Sequence, residues 1–268
     1  MDNTPIRQIH LDFHTSPYIN NIGSDFDRQK FVETLSKVKA ESVTLFAKCH
    51  HGMFYYPTKL GTMHPGLSFD LLGEQVAVCK ENNIRVIIYT CVGWNEDTAN
   101  RHPEWQQVNT DGVLGLKKPF DCSFYSWQFL CVNNPDYIEL LKAELKEIYD
   151  CYHPAGFFLD IVNSNGCVCH HCREEMWEIG LDPENPKDVT KHDRMNEIRF
   201  CEIFYSFVKS LNPDLLVTFN NSAYVPDLED EPEFSTSQKR KSFSYIDIES
   251  LPSDQWGYTH FPIAINYL

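Results

Sequence analysis

Basic residues are scarce in this chain: 23 Lys and Arg stand against 38 Asp and Glu, giving a formal charge of −15 and a pI near 5.1. No cationic face is available to displace counterions from phosphates, so a nucleic acid partner is excluded. The first residues, Met1 to Arg7, lack the apolar core of a secretory leader, and no later run approaches the length of a membrane span. A soluble cytoplasmic protein with no membrane partner is the expectation. No G-x-G-x-x-G occurs, which argues against a dinucleotide fold whose site sits at one switch point. Internal repeats are also lacking.

What remains is 268 residues with 42% hydrophobic content, enough to bury a full core as one barrel-sized domain; two ordinary domains are the alternative. Ten cysteines would suit a disulfide framework only in a small secreted domain, and here most, such as Cys79, Cys91 and Cys201, lie in apolar, strand-like or helix-like settings. They read as reduced core residues.

Short runs rich in β-branched and aromatic residues alternate with longer stretches of helical periodicity. Strands are expected at 6–13, 42–47, 85–90, 156–161, 215–220, 244–248 and 262–266, and helices at 27–39, 68–82, 135–152 and 192–211. Each strand ends in a polar or aromatic burst: Asp12 to His14, Lys48 to His51, Cys91 to Trp94, Asp160 to Asn163, Asn220 and Asn221, Asp247 to Glu249. Function in a (β/α)8 barrel collects on the loops at the C-terminal strand ends, so a TIM-type α/β barrel fits this distribution. Seven strands leave that barrel incomplete, so residues 1–268 read as a catalytic barrel cut before its eighth strand. Its open edges invite pairing with another copy, a possible homo-oligomer. The run 227–241 is acidic, then basic, and reads as a mobile loop.

The segment Lys48-Cys49-His50-His51-Gly52 concentrates polar groups at the end of the second strand. Neighbouring side chains leave a strand in opposite directions, so His50 and His51 both face a ligand only where the backbone has left the sheet. By spacing alone, one structural histidine beside one exposed neighbour is a slightly better account. Asp160 closes an apolar strand, the place where a barrel aims a nucleophile; for a lone Asp, capping a helix is the ordinary role. Glu249, at the end of the sixth strand, is the choice for a partner carboxyl, with Asp247 its rival deeper in the barrel. Trp94 and Asn220 sit at strand ends and read as substrate contacts, while Trp256 and Tyr258 either stack on a ligand or fill the barrel mouth.

These residues resemble family 29 α-L-fucosidases, which carry Lys-His-His-Asp-Gly-Phe at this strand end, followed by an aromatic, a Ser or Thr and a Lys. Here the sequence reads Lys48-Cys49-His50-His51-Gly52-Met53-Phe54, then Pro57-Thr58-Lys59, with Cys49 and Gly52 departing from that pattern. The wider chain is similar to family 151 fucosidases and the hypothetical hydrolases near them, notably at 130–137, 158–160 and 249–258. The resemblance implies a retaining glycosidase acting on terminal sugars, α-L-fucosides first. It makes Asp160 the nucleophile and Glu249 the acid/base, with His14, Lys48, His50 and His51 holding the sugar. A non-catalytic carbohydrate-binding barrel and a β-galactosidase-like hydrolase are alternatives. A metal-dependent amidohydrolase fits poorly, because it wants His-x-His where this chain has His10-x3-His14.

Cys167-x-Cys169-x2-Cys172 places three thiols within six residues, the spacing of structural zinc. Cys131 is the expected fourth ligand, with His170 and His171 as alternatives. Four protein ligands leave no open position, so such zinc braces a loop and no cofactor is expected in catalysis. Unligated thiols or a disulfide are the competing account.

Overall fold

The computed structural model describes residues 7–112, 127–220, 236–249 and 257–259. Five strands run parallel: β1 (Gln8–His10), β2 (Ser42–Lys48), β5 (Arg85–Cys91), β6 (Gly156–Asp160) and β7 (Leu216–Phe219). A short ribbon, β3 (Met53–Phe54) and β4 (Thr62–Met63), joins the end of β2 and completes a seven-stranded sheet that is not closed. Every residue of β2 and β6 is buried, as expected for parallel strands covered on both faces.

Helices cover the outside. They are α1 (Arg28–Lys37), α2 (Leu71–Glu81), α3 (Glu96–Arg101), α4 (Pro135–Tyr152), α5 (His170–Glu178), α6 (Pro186–Leu211) and α7 (Thr236–Arg240). Their starts follow local chemistry: Asp27, Asp70, Asn95, Asn134 and Asn185 each accept a backbone N–H from the first turn. Pro135 and Pro186 occupy the first helical turn, where a missing N–H costs nothing.

Strand alternation splits the core in two. Val43, Leu45, Ala47, Val86, Ile88, Phe157 and Leu159 pack outward against the helices. Phe46, Ile87, Tyr89, Cys91 and Phe158 belong to a second, inner cluster, where Tyr89 stacks on Phe46 at 3.7 Å between ring centres. This aromatic floor lies beneath the C-terminal strand ends.

Six expected strands lie on described residues, and five form. Residues 244–248 do not pair as a regular strand, although they run beside β7: Ser244 N–H donates to Val217 O at 2.7 Å and Thr218 Oγ1 to Tyr245 O at 2.8 Å. Tyr245 Oη in turn accepts from Gln8 Nε2 of β1 at 3.1 Å, so this segment reaches across toward the first strand. The strand expected at 262–266 lies outside the described residues. Of the loop expected at 227–241, residues 236–240 are helical, and most of the rest lies outside the described residues. Sequence periodicity missed α3 and α5, which are short and carry few buried residues.

Candidate active site

Asp160 ends β6 and is buried. Its Oδ2 accepts a hydrogen bond from the Tyr89 hydroxyl of β5, and its Oδ1 accepts the Ile161 N–H at 2.9 Å. Burial pushes the carboxyl up to about 6, with the Glu249 charge adding to the rise and hydrogen bonds from Tyr89 and Asn220 opposing it. Ile161 holds φ +62°, a left-handed conformation rarely adopted by a β-branched residue. Gly93 makes room for it, since a Cβ there would meet Ile161 O at 1.8 Å.

Asn220, one residue past β7, connects the two carboxyls. Its Nδ2 donates to Glu249 Oε2 at 3.1 Å, and its amide acts to lower the Asp160 carboxyl. Glu249 is exposed and Asp160 is not, so the pair consists of one dry and one wet carboxyl.

Two histidines stack above this pair. The rings of His14 and His50 lie 3.8 Å apart. Burial works against a charge on His14, yet the Asp12 carboxylate at 3.0 Å and the neighbouring Cys49 sulfur lift it to about 9. His50 is driven the other way, to about 2, by burial and by the charge of His14. It therefore stays neutral. Burial and the Asp160 charge raise the Cys91 thiol, which keeps its proton; its sulfur lies 2.9 Å from His50 Nδ1 and 3.9 Å from Asp160 O. His50 Nε2 faces Asp160 Oδ2 at 3.8 Å.

Trp94 and Trp127 complete the wall, with centres 4.7 Å from the His50 ring and 4.9 Å from each other. His51 lies at the rim, bound through Nδ1 to Glu96 Oε2 at 3.0 Å. The indole nitrogens of Trp94 and Trp127 and Nδ1 of His14 are buried with no hydrogen-bond partner. An orphaned buried polar group costs about 1–3 kcal/mol, so this wall is held at a cost to stability.

The structure thus brings together Asp160, Glu249, His14, His50, Trp94 and Asn220, with His51 at the edge. Lys48 lies elsewhere. The register between β2 and β5 shifts between Phe46 and Lys48, a bulge that sets Ala47 and Lys48 against one partner position. The extra residue turns Lys48 outward into the helix layer, where its ammonium meets Glu144 of α4 at 2.5 Å, both fully buried. Tyr258 is 87% exposed in a turn, away from this cluster's buried wall, and Trp256 lies outside the described residues. Gly52 has φ +80°, and a Cβ there would meet Asn95 Oδ1 at 2.0 Å, so a side chain in place of Gly52 is excluded. Sequence reasoning missed Tyr89, Cys91 and Trp127. The first two alternate on β5 with period two, a signal that the expected strand, ended at residue 90, cut short.

Residues 27–161 match the sequence profile described as hypothetical glycosyl hydrolase 6. The chain belongs to that family. Among solved structures, this glycosyl hydrolase is similar to α-L-fucosidase isoenzyme 2 from Paenibacillus thiaminolyticus, at 34% identity and a TM-score of 0.82 over 97% of the chain. It spans 38% of that fucosidase's length. The PgaB (BpsB) glycoside hydrolase domain from Bordetella bronchiseptica shares the fold, with a TM-score of 0.66 at 16% identity, over 92% of this chain and 74% of that one. No curated protein matches. Among the described residues, no helix is long and apolar enough to cross a membrane.

A second cluster in this hydrolase lies behind the wall. The sulfurs of Cys131, Cys167, Cys169 and Cys172 fall within 4.8 Å of one another, all buried. His170 and His171 lie outside that group; His170 instead pairs with Glu174 at 3.4 Å on the helix surface.

Proposed function

We propose that this glycosyl hydrolase chain is the catalytic barrel portion of an enzyme that removes terminal sugars, α-L-fucosides first, with retention. Asp160 is the nucleophile and Glu249 the acid/base. The observation that carries this reading is the pairing of the buried Asp160 carboxyl with Glu249, which accepts from Asn220 Nδ2 at 3.1 Å and whose charge acts on Asp160. Retaining hydrolysis uses two carboxyls roughly 5–5.5 Å apart on opposite sides of the scissile bond.

Asp160, at about 6, is ionised at neutral pH while its burial leaves it poorly solvated and reactive. Its carboxylate attacks the anomeric carbon as the leaving oxygen takes a proton from Glu249. Glu249 then removes a proton from water, which displaces Asp160 and regenerates both groups. Glu249 is open to solvent, where a water can reach it for the second step. Cationic His14 and the neutral His50 imidazole bind sugar hydroxyls, with Trp94 and Trp127 offering apolar faces. Similarity to the α-L-fucosidase from Paenibacillus thiaminolyticus over almost the whole chain supports fucose as the first sugar to test.

The experiment is hydrolysis of a panel of nitrophenyl glycosides by wild type, Asp160→Ala and Glu249→Ala. Turnover is expected to be greatest on the α-L-fucoside and to fall at least about a hundredfold in each variant. Azide should rescue Asp160→Ala by giving the glycosyl azide of inverted configuration. Wild-type turnover in either variant would remove the assignment, and binding of sugar with no turnover in any form would leave a carbohydrate-binding barrel instead.

A further inference from the structure

The four-cysteine cluster lies outside the carboxylate site and takes no part in the proposed hydrolysis. Cys131 sits at the centre of its contacts, with its sulfur 3.6 Å from Cys169, 3.6 Å from Cys172 and 3.8 Å from Cys167. A disulfide pairs two sulfurs at about 2.0 Å and releases the others, whereas here three sulfurs surround the fourth at nearly equal range. Zinc bound by thiolates at about 2.3 Å in a tetrahedron sets neighbouring sulfurs about 3.8 Å apart. The separations fit that polyhedron.

The surroundings also suit a dianionic metal–thiolate group. Asn133 Nδ2 lies 3.8 Å and Asn196 Nδ2 4.0 Å from Cys172 Sγ, as amide donors to sulfur. The charge of Arg199 acts on Cys172 and Cys131, and its guanidinium is fixed by Glu175 and Asn133. Cys169 caps α5 and Cys172 lies in its first turn, where the helix dipole favours negative charge. Ligands with such outer partners are the ordinary architecture of a structural zinc centre.

We propose that these four cysteines bind one zinc ion that locks the two segments building the wall and floor of the sugar site. Cys131 is four residues after Trp127, and Cys167 is six residues after Ile161, whose N–H holds Asp160 Oδ1. Gln107 ties these segments together: its Nε2 donates to Leu130 O at 3.1 Å and to Asn163 O at 2.7 Å, and its Oε1 accepts Asn165 N–H. Asp193 holds the rest of the turn through Ser164 and the N–H groups of Gly166 and Cys167. Binding takes the thiols as thiolates, each giving up its proton, and leaves no ligand position open.

The role in the sugar site rests on the proposed function, but metal binding does not, so the two can fail separately. Metal analysis of the purified chain is expected to find one zinc per molecule, released together with four thiols by an organomercurial. Cys151→Ser, at an exposed position, should keep the metal, and Cys169→Ser should lose it. Should Cys169→Ser not fold, cobalt replacement in the wild type gives an independent reading, the visible absorption of a tetrahedral tetrathiolate. Four free thiols without metal, two disulfides, or stoichiometric iron would each overturn the zinc assignment. Zinc present but Trp127 fluorescence and glycosidase turnover unchanged on its removal would overturn the locking role alone.

Discussion

Replacing Tyr89 by Phe tests the electrostatics of the floor without disturbing its packing. The ring stays stacked on Phe46 and Phe158, and only the hydroxyl that donates to Asp160 Oδ2 is lost. That bond favours the ionised carboxylate, so its loss raises the Asp160 pKa from about 6. A hydrogen bond to a charged group is worth about 1.5–3 kcal/mol, and about 1.4 kcal/mol is one pH unit, so the rise is about 1–2 units. The nucleophile works ionised, and the acid limb of kcat/KM follows it upward, to roughly pH 7–8. With a midpoint of roughly 7.5, turnover at pH 6 falls about fifteenfold, while at pH 8.5 the loss is under about twofold. Full pH profiles of both proteins on an aryl glycoside check this. A loss of equal size at every pH would refute the reasoning, because it would mean that Tyr89 acts on the substrate or on the fold and not on the ionisation of Asp160.

Two further outcomes follow from the same contacts. Lys48→Ala strands Glu144 in the helix layer and should destabilise the fold by about 3–5 kcal/mol in denaturant titration, whereas Lys48→Met with Glu144→Leu should recover most of it. KM on the folded fraction should not change, and an increase would return Lys48 to the sugar site. Asp12→Asn should lower the His14 midpoint from about 9, measured by NMR titration; in the wild type, while Asp12 is ionised, the stability from this pair is full below about 6.5, the free imidazole value, and is lost as pH rises from there through about 9. An unchanged midpoint would assign the shift to another neighbour.

Long buried strands and capped helices were legible in the sequence because their signals are local. β2, β5 and β6 are continuous apolar runs, and α4 falls on the residues that its Asn134 cap, Pro135 and periodic leucines indicate. Asp160 and Asn220 were legible too, since a parallel strand delivers the residue at its C-terminal end to the barrel mouth. Lys48 was not. Period-two alternation aims it inward, and only the added residue of the bulge, invisible without the β5 partner, turns it out to Glu144. Trp127 carried no periodic signal, and its place against His50 depends on a chain path that no local pattern encodes.

Where the chain departs from local preference, the departures converge on one place. Ile161 takes a left-handed φ beside Asp160, Gly93 gives up its side chain to admit it, and a bulge re-aims the strand that leads to His50. Nearby, three ring nitrogens are buried without partners. Each feature costs on the order of 1–3 kcal/mol, and a sequence under selection for stability alone would discard them. Their joint presence around one carboxylate is itself an argument that this end of the barrel is built for chemistry, since local rules are broken most where function requires it. The conformation of Ile161 aims a backbone N–H at Oδ1, and Tyr89 occupies Oδ2, so both oxygens of Asp160 are fixed before a sugar arrives. In the proposed role of nucleophile, a carboxylate held in this way loses little orientational freedom on reaction, a gain that offsets the local strain.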